Sequence, residues 1–557
     1  GREVVGRASK HRMDGGGASS SSSSGGGVGV GVGVGDGDGE VSSSKGQGSG
    51  APGRWVRPRA GEERAQAQAE LRAQLQGREE VMVQLVSQEG DAAGPALQVA
   101  LEASSEQLTA VLNALLEKDE ETPYSFTVNE EEVASSLWNT IQRLKDMEKP
   151  VSLETTIPIV YRPQALFRVR PVTRCTATLS GHTESILVVA FSPDARHLAS
   201  GSGDATVRMW DLNTETPLGT CKGHTNWVQA LAWSPDGRKL ASGSADGHVR
   251  VWLPDSTPAL AKPIVAHKKY VTALAWEPMH LAGGLDSGEC RRLASASKDG
   301  DIKIWDTNTG RKLLTLAGHT QGVTVIRWSG EGYIYSASQD RSIRVWNPET
   351  GEVVRTLQGH GHWVNTMSLS TDHALRCGPF DHVHDIVEFG SFQEAVSSAQ
   401  RIYDQAKALS GGEERMVTGS DDFSLYLWNP SVAERPIARL LGHQQLVNHV
   451  SFSPDGRFIC SGCFDKSVRL WDGVTGKFIR TFRGHVGPVY QVGWSADSRL
   501  VVSASKDSTA KVWDIRTGRI VEDLPGHHDE VFSVDWSPDG QRVASGGKDR
   551  KLKLWRH

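Results

Sequence analysis

The sequence has little of several features that mark other classes of protein. Among its 557 residues only six are Cys, and aromatic residues make up 7%. So few thiols argue against a disulfide-stabilised secreted protein, and there is no run of eighteen apolar residues to cross a membrane. A Gly-x-x-x-x-Gly-Lys-Ser/Thr loop for binding ATP is also missing. We therefore expect an intracellular soluble protein that is not itself an ATPase.

The charge is small overall and unevenly distributed. The formal net charge is −5, but residues 78–162 hold 16 acidic and 6 basic side chains, a net charge of −10. The rest of the chain therefore carries +5. A nucleic-acid-binding protein usually has a strong basic footprint, and the overall charge shows none. A local basic patch on one rim of the folded chain stays as an alternative.

Residues 173–557 contain a four-residue register that occurs eight times. In every unit a Trp follows an Asp by six residues and a Ser or Thr by ten, with a His upstream. The His residues are His182, His224, His267, His319, His360, His443, His485 and His527. The hydroxyl residues are Ser200, Ser242, Ser295, Ser336, Thr418, Ser461, Ser503 and Ser545. The acids are Asp204, Asp246, Asp299, Asp340, Asp422, Asp465, Asp507 and Asp549, and the indoles are Trp210, Trp252, Trp305, Trp346, Trp428, Trp471, Trp513 and Trp555.

A repeat of about forty residues, with the His near its beginning and the Trp near its end, is typical of propeller blades. Each blade is made of four antiparallel strands. In the first unit the strands are expected at Leu187–Phe191, His197–Ser202, Thr206–Trp210 and Pro217–Cys221. The units resemble the WD-repeat family, in which these four side chains form one buried relay of hydrogen bonds. Ser, His and Asp together also suggest a hydrolase, but a catalytic triad occurs once and this set occurs eight times. We therefore predict an eight-bladed propeller without catalytic residues.

Two units contain insertions, near 281–290 in the third and at 371–413 in the fifth. Part of the longer insertion, Phe392–Leu409, predicts a helix that begins with a capping box of Ser391 and Glu394. This insertion is either an added docking surface or a tolerated surface loop. The eighth unit ends after its third strand, so we expect Arg174–Leu179 to supply the fourth and close the ring.

The pair Cys460 and Cys463 has the spacing of a redox or zinc motif. Its register matches Ala199–Ser202 of the first unit, which places both residues in a strand. No second Cys pair accompanies it, so a structural role is favoured over a metal site.

The N-terminal part divides into a tail, a small domain and a linker. Residues 1–77 form a Gly/Ser-rich segment that we expect to be disordered, and residues 1–12 are suspected to be non-native sequence before a start at Met13. Residues 78–162 show a β-β-α-β-α-β order, which suggests a ubiquitin-like (β-grasp) domain. Residues 163–172 are expected to be a linker to the propeller.

The strands of the small domain are expected at Val81–Ser87, Ala96–Leu101, Tyr124–Val128 and Ile157–Tyr161. The helices are expected to follow a capped start at Ser104–Gln107 and to cover Val133–Leu144. The acidic run Glu130–Glu132 is interpreted as a solvated helix start.

The combination of an acidic ubiquitin-like unit with eight blades resembles the Notchless family. The segments that carry this resemblance are Tyr161–Pro163, Phe167–Pro171, His224–Val228 with Ala230–Trp233, and Gly359–Asn365. It covers residues 78–557 and implies a non-enzymatic assembly factor of the large ribosomal subunit, located in the nucleus and nucleolus. It also implies that the propeller anchors to the pre-ribosome, through ribosomal proteins and rRNA.

In that family the ubiquitin-like domain docks onto midasin, a large AAA ATPase whose metal-ion-dependent adhesion site holds a divalent cation. The resemblance implies that a Glu of the assembly factor fills the open coordination position of this ion, expected to be Mg²⁺, and Glu154 is the matching residue here. Without the resemblance Glu154 would be interpreted as a solvated loop residue. No cofactor of this chain's own is expected.

Three units have an aromatic residue three positions after the repeat His, namely Trp227, Tyr270 and Trp363. Aromatic residues are frequent anchors of protein interfaces, and bases of RNA stack on them as well. Packing between blades is the alternative role. The competing interpretation of the whole chain is a generic WD-repeat scaffold, such as a substrate receptor of a ubiquitin ligase.

Overall fold

The computed structural model describes residues 80–87, 92–116, 124–129, 131–133, 136–146, 156–163, 169–284, 289–382 and 389–557. Contacts divide these residues into two units, one over 80–163 and one over 169–557. The tail 1–77, including Met13, and the candidate ligand Glu154 lie outside the described residues. Among the described residues, no helix is long and apolar enough to cross a membrane.

The small unit is a five-stranded mixed sheet with two helices. Its elements are β1 (Glu80–Val86), β2 (Leu97–Ala100), α1 (Ser105–Leu115), β3 (Tyr124–Val128), β4 (Glu131–Glu132), α2 (Leu137–Asp146) and β5 (Ile157–Pro163). The strand order is β2-β1-β5-β3-β4, with β1 and β5 parallel and the other pairs antiparallel. This is the predicted β-grasp arrangement. Its core includes Val83, Leu108, Leu112, Phe126 and Ile159, each with none of its surface exposed.

The start of α1 is confirmed as a capping box. The Ser104 hydroxyl accepts from the Gln107 amide, and the Gln107 side chain accepts from the Ser104 amide. Each bond satisfies an N–H group that the first helical turn leaves without a partner.

The helix start predicted at the acidic run is wrong. Asn129 adopts a φ of 46°, which turns the chain back on itself directly after β3. Glu131 and Glu132 then pair with Val128 and Thr127 as β4, and α2 begins only at Leu137. The backbone of the run is committed to the sheet edge, so the helix starts later than the apolar period suggests.

The large unit contains eight four-stranded antiparallel sheets. From first to fourth strand, blades one to four are β7 (Ile186–Phe191), β8 (His197–Ser202), β9 (Val207–Asp211), β10 (Thr216–Cys221); β11 (Val228–Trp233), β12 (Leu240–Ser244), β13 (His248–Trp252), β14 (Ile264–Val265); β15 (Val271–Trp276), β16 (Arg292–Ser297), β17 (Ile302–Asp306), β18 (Lys312–Leu316); and β19 (Val323–Trp328), β20 (Ile334–Ser338), β21 (Ser342–Trp346), β22 (Val353–Gln358).

Blades five to eight are β23 (Val364–Leu369), β24 (Met416–Ser420), β25 (Leu425–Trp428), β26 (Ala438–Leu440); β27 (Val447–Phe452), β28 (Phe458–Cys463), β29 (Ser467–Asp472), β30 (Phe478–Arg483); β31 (Val489–Trp494), β32 (Leu500–Ser505), β33 (Ala510–Asp514), β34 (Ile520–Leu524); and β35 (Val531–Trp536), β36 (Val543–Gly547), β37 (Lys551–Arg556), β6 (Arg174–Ser180). The first strands of consecutive blades contact one another, and β35 contacts β7. The sheets therefore close into a ring.

The closing strand comes from the beginning of the unit, as predicted. β6 pairs antiparallel with β37, so that Ser180 lies opposite Lys551 and Cys175 opposite Trp555. The last blade thereby gains its fourth strand from a segment more than 370 residues away in sequence. β6 covers the outer edge of β37, which would otherwise be an unpaired strand edge.

The ring has two faces that the strand direction defines. Each first strand begins four residues after the repeat His and ends just before the turn that leads to the second strand. We call the side where the first strands begin the tetrad face, and the side where they end the turn face. Because all first strands run in the same direction, the eight repeat His residues share the tetrad face.

The insertion of the fifth blade lies on the turn face, since it follows the end of β23. It contains α3 (Asp372–Cys377) and α4 (Phe392–Leu409), and α4 has the bounds that the sequence predicts. Arg376 forms a bidentate ion pair with Asp535 of blade eight. The distances are 2.8 Å from Nη1 to Oδ1 and 2.6 Å from Nη2 to Oδ2. His382 bonds the carbonyl of Pro193 in blade one at 2.7 Å. The insertion therefore reaches the first strand of blade eight and a turn of blade one, on the other side of the ring.

Helix α4 packs on the turns of blades three and four. The ring of Tyr403 packs so closely against Gly330 that a Cβ atom there would overlap it, and the ring stacks on His280 at 4.6 Å. His280 belongs to a 3-10 helix, Met279–Gly284, within the third-blade insertion. The capping box predicted at the start of α4 is half correct: Ser391 caps the Glu394 amide, but the Glu394 carboxylate accepts from Gly390 instead. The described residues of the two insertions thus form one packed cap on the turn face.

A buried carboxyl group fixes the end of this cap. Glu414 has no exposed surface and accepts hydrogen bonds from the hydroxyls of Ser329 and Thr371 and from the Gly330 amide. Burial raises its pKa to about 7 against these hydrogen bonds, which lower it. Blade four and blade five are therefore joined through a group that titrates near neutrality.

Candidate interaction surfaces

The four repeat residues meet in every blade as one chain of hydrogen bonds. The His Nδ1 lies 2.8–3.2 Å from the Asp carboxylate, and its Nε2 lies 2.7–2.9 Å from the Ser or Thr hydroxyl. The Trp indole donates to the same hydroxyl at 2.7–3.0 Å. A carboxylate only accepts, so Nδ1 carries the proton and the hydroxyl donates to Nε2. We call each set a tetrad.

The tetrad Asp also holds two loops together. In blade one the carboxylate of Asp204 accepts from the amides of Thr183, next to the repeat His, and Thr206, in the turn after the second strand. Equivalent bonds from the residue after the His occur in all eight blades. Burial alone would raise the pKa of these carboxyls, but the bonds from His and from the loop amides hold it below the usual range.

Burial of the tetrads decides between a structural and a catalytic role for them. The eight His residues are only 5–9% exposed, and the tetrad hydroxyl residues have no exposed surface. A substrate cannot reach a hydroxyl that is enclosed between indole and imidazole. The tetrads therefore specify the geometry of the tetrad face.

A fifth member of the repeat was missed in the sequence analysis. Arg208 and Arg250, two residues before the Trp, donate to the carbonyls of Gly181 and Gly223, which precede the repeat His. In blade three Lys303 does the same toward Ala266. The signal is present in the sequence, since this position is Arg or Lys in seven of the eight units and Tyr426 in the fifth.

Cys463 occupies the position of a structural Ser. Its thiol donates to the Gln445 carbonyl and accepts from the Asp465 amide, as Ser202 does toward Glu184 and Asp204 in blade one. His443, Cys463 and Asp465 are close enough to hold a metal ion. Both ring nitrogens of His443 are already used by Ser461 and Asp465. Burial also raises the pKa of Cys463 to about 12, so the thiolate that a metal needs is disfavoured.

The three aromatic candidates lie on the tetrad face, directly before their first strands. Their carbonyls accept from the amides of Ala245, Lys298 and Asp421, which fixes the backbone of each. Trp227 is 38% and Tyr270 46% exposed. Trp363 is half-buried and lies against the ring of His362 at 5.4 Å. Two of the three rings are thus available on the face that the cap leaves uncovered.

Comparisons with known families agree with this architecture. Seven segments match the family described as WD domain, G-beta repeat, at 173–211, 215–252, 260–306, 310–347, 434–472, 476–514 and 518–556. The fifth blade, whose insertion separates His360 from Asp422, lies in the interval without a match. Residues 81–141 match the family described as NLE (NUC135) domain. Among solved structures, the computationally designed Ika8 protein is similar with a TM-score of 0.52 and 26% identity, covering 68% of this chain and 98% of the designed one.

Three relatives align over most of the chain. The Notchless protein homolog of Arabidopsis thaliana is 52% identical over 403 residues, 72% of this chain and 82% of the relative. Protein Notchless of Drosophila melanogaster is 49% identical over 67% of this chain and 75% of its own length. Ribosome assembly protein 4 of Saccharomyces cerevisiae is 45% identical over 71% of this chain and 78% of its own length. With this identity over two thirds or more of this chain and of each relative, the chain belongs to the Notchless family.

Proposed function

We propose that this protein is a non-enzymatic assembly factor of the large ribosomal subunit that acts in the nucleus and nucleolus. The observation that carries the proposal is the 45% identity, over most of both chains, with a relative named Ribosome assembly protein 4. The buried tetrads support a binding role, because a ring stabilised in this way offers rigid surfaces. Its ligands are then macromolecules of the precursor particle.

The two units take different tasks in this proposal. The propeller anchors to the pre-ribosome by its tetrad face, with Trp227, Tyr270 and Trp363 as candidate contacts. The small unit docks onto the metal-ion-dependent adhesion site of midasin, where Glu154 supplies an oxygen ligand to a divalent cation, Mg²⁺, that midasin holds. Such a hard cation prefers oxygen ligands and keeps exchangeable positions, which suits one added carboxylate. ATP hydrolysis by midasin then drives remodelling of the particle or release of the factor.

Magnesium-dependent binding of the full-length protein to the isolated adhesion-site domain of midasin tests the role of Glu154. We expect wild-type binding in Mg²⁺ and its loss in EDTA, and the Glu154→Ala and Glu154→Asp variants should not bind in either buffer. Asp is included because its shorter side chain cannot reach the same coordination position. The matched control is Glu102→Ala, which removes an exposed acid of the same unit. Equal binding of the Glu154 and Glu102 variants would refute the ligand role.

A further inference from the structure

A basic and aromatic patch lies on the tetrad face of blade three. It consists of Lys268, Lys269, Tyr270 and Lys298, and we call it the blade-three patch. Lys269, Tyr270 and Lys298 line an open recess of about 250 Å³, and the Lys298 ammonium lies 6.0 Å from the centre of the Tyr270 ring. Lys268, Lys269 and Tyr270 are all exposed. The recess therefore presents an aromatic ring among positive charges.

The backbone holds this patch in place. The Lys268 amide donates to the tetrad carboxylate of Asp299 at 3.3 Å, and the Lys298 amide donates to the Tyr270 carbonyl at 3.0 Å. On the side of blade four, Gly322 lies so close that a Cβ atom there would be 3.0 Å from the Lys298 Cα. Both segments of the patch are thus fixed before any ligand arrives, which lowers the entropic cost of binding.

Two of the patch positions are acidic in blade eight. In blade eight, Lys548 corresponds to Lys298, and the positions of Lys269 and Tyr270 are occupied by Asp529 and Glu530. There the lysine lies 3.3 Å from Asp529 and 3.7 Å from Glu530. Blade three replaces this acidic pair with a lysine and an aromatic ring. The fold does not require such a replacement, because blade eight forms the same tetrad and the same strands.

We propose that the blade-three patch, together with the exposed indole of Trp227 in the adjacent blade, binds single-stranded RNA. The inference rests on the proposed function, since it names the component of the precursor particle that this part of the ring contacts. Exposed rings stack on bases of any sequence, and the lysines neutralise the phosphates between them. Lys is depleted in protein–protein interfaces, whereas phosphate accepts its point charge readily, so RNA is favoured over an acidic protein segment.

Fluorescence anisotropy with the full-length protein and a fluorescein-labelled oligouridine of twelve nucleotides tests the proposal. The Lys268→Ala/Lys269→Ala/Lys298→Ala variant should bind at least about tenfold more weakly at low salt. Its plot of log K against log salt should be shallower by about 0.7 for each phosphate that the variant no longer neutralises. Tyr270→Ala should weaken binding about tenfold with little change in this slope, because stacking releases no counterions.

The matched control is Lys506→Ala/Lys548→Ala. It removes lysines of the same register in blades seven and eight, where Glu530 and Asp529 lie nearby. This variant should bind oligouridine like the wild type. Equal loss in patch and control variants would mean non-specific attraction and would overturn the proposal, as would wild-type protein that does not bind oligouridine. Binding of a labelled oligoglutamate peptide in place of RNA would assign the patch to an acidic protein and overturn it equally.

Recovery of large-subunit precursors with the tagged wild-type protein separates this inference from the proposed function. Precursor recovery without oligouridine binding leaves the proposed function standing and removes the RNA assignment. Patch-dependent oligouridine binding without precursor recovery supports the RNA assignment and counts against the proposed function.

Discussion

Each tetrad hydroxyl is the central member of its hydrogen-bond chain, because it bonds the indole on one side and the imidazole on the other. Ser503 accepts from Trp513 at 2.8 Å and contacts His485 Nε2 at 2.7 Å, and it has no exposed surface. Both of its partners are buried as well, so each would lose this bond at a position with little access to solvent. A single oxygen atom therefore keeps two larger polar side chains satisfied.

Replacing this hydroxyl should destabilise the protein through the two groups left without partners. For Ser503→Ala we expect a loss of roughly 1–3 kcal/mol in the free energy of unfolding for each of them, measured by urea denaturation. Hydrogen exchange should increase first in blade seven. The control is Ser397→Ala, which removes an exposed hydroxyl on α4 and should change stability by less than about 0.5 kcal/mol. Two variants of equal stability would contradict the role given to the tetrad.

The buried carboxyl of Glu414 predicts an unusual dependence of stability on pH. Its folded-state pKa of about 7 lies above the ordinary value of 4.5. Its contribution to the free energy of unfolding is therefore fully present below pH 4.5 and is lost as the pH rises through 7. At pH 8 the Glu414→Gln variant should therefore be more stable than the wild type, by on the order of 3 kcal/mol. At pH 4.5 the two should differ little.

Thermal unfolding at both pH values checks this prediction. Glu352→Gln is the control, since it changes an exposed Glu of the neighbouring blade. A Glu414→Gln variant that is less stable than the wild type at pH 8 would show that the ionised carboxylate is the stabilising form.

At the scale of elements, the repeat made the strands of the blades predictable. The sequence also locates the insertions along the chain, but it does not predict where they pack on the ring. The spacing of His182, Ser200, Asp204 and Trp210 predicts four strands per unit, because the side chains of one blade satisfy one another. Helix α4 was predicted from its own apolar period and Ser391. Its docking depends on the contact of Tyr403 with Gly330, which is more than seventy residues away in sequence. No local pattern indicates such a contact. The small unit shows the same limit at β4, where pairing with β3 overrides the helical signal.

Helix α4 should detach from the ring when the contact of Tyr403 with His280 and Gly330 is removed. Tyr403→Ala deletes a buried side chain between His280 and Gly330, a change that costs about 3–5 kcal/mol for large aromatic residues. We expect faster proteolysis and hydrogen exchange within α4, with the tetrads of the ring still protected. Gln400→Ala, on the exposed side of the same helix, is the control. Loss of protection throughout the ring would mean that the cap and the ring unfold as one unit.

At the scale of the whole molecule, the ring and the small unit are separate compact bodies in one chain. The ring is closed by β6, and among its described residues the cap covers the turn face and not the tetrad face. Sequence reasoning found the closure because the last unit lacks a strand and Arg174–Leu179 lacks a sheet. It could not find which face the cap covers, since that depends on contacts between distant blades. The proposed function assigns a different partner to each of the two units.

Affinity purification of tagged variants tests this division of labour most directly, with midasin measured by immunoblotting and precursor rRNA by hybridisation. Glu154→Ala should lose midasin and retain precursor rRNA, whereas Trp227→Ala/Tyr270→Ala/Trp363→Ala should lose precursor rRNA without unfolding the ring. Each variant is compared with the wild type and with Glu102→Ala. The account predicts that the Glu154 change leaves precursor recovery intact, and loss of the precursor together with midasin in that variant would contradict it.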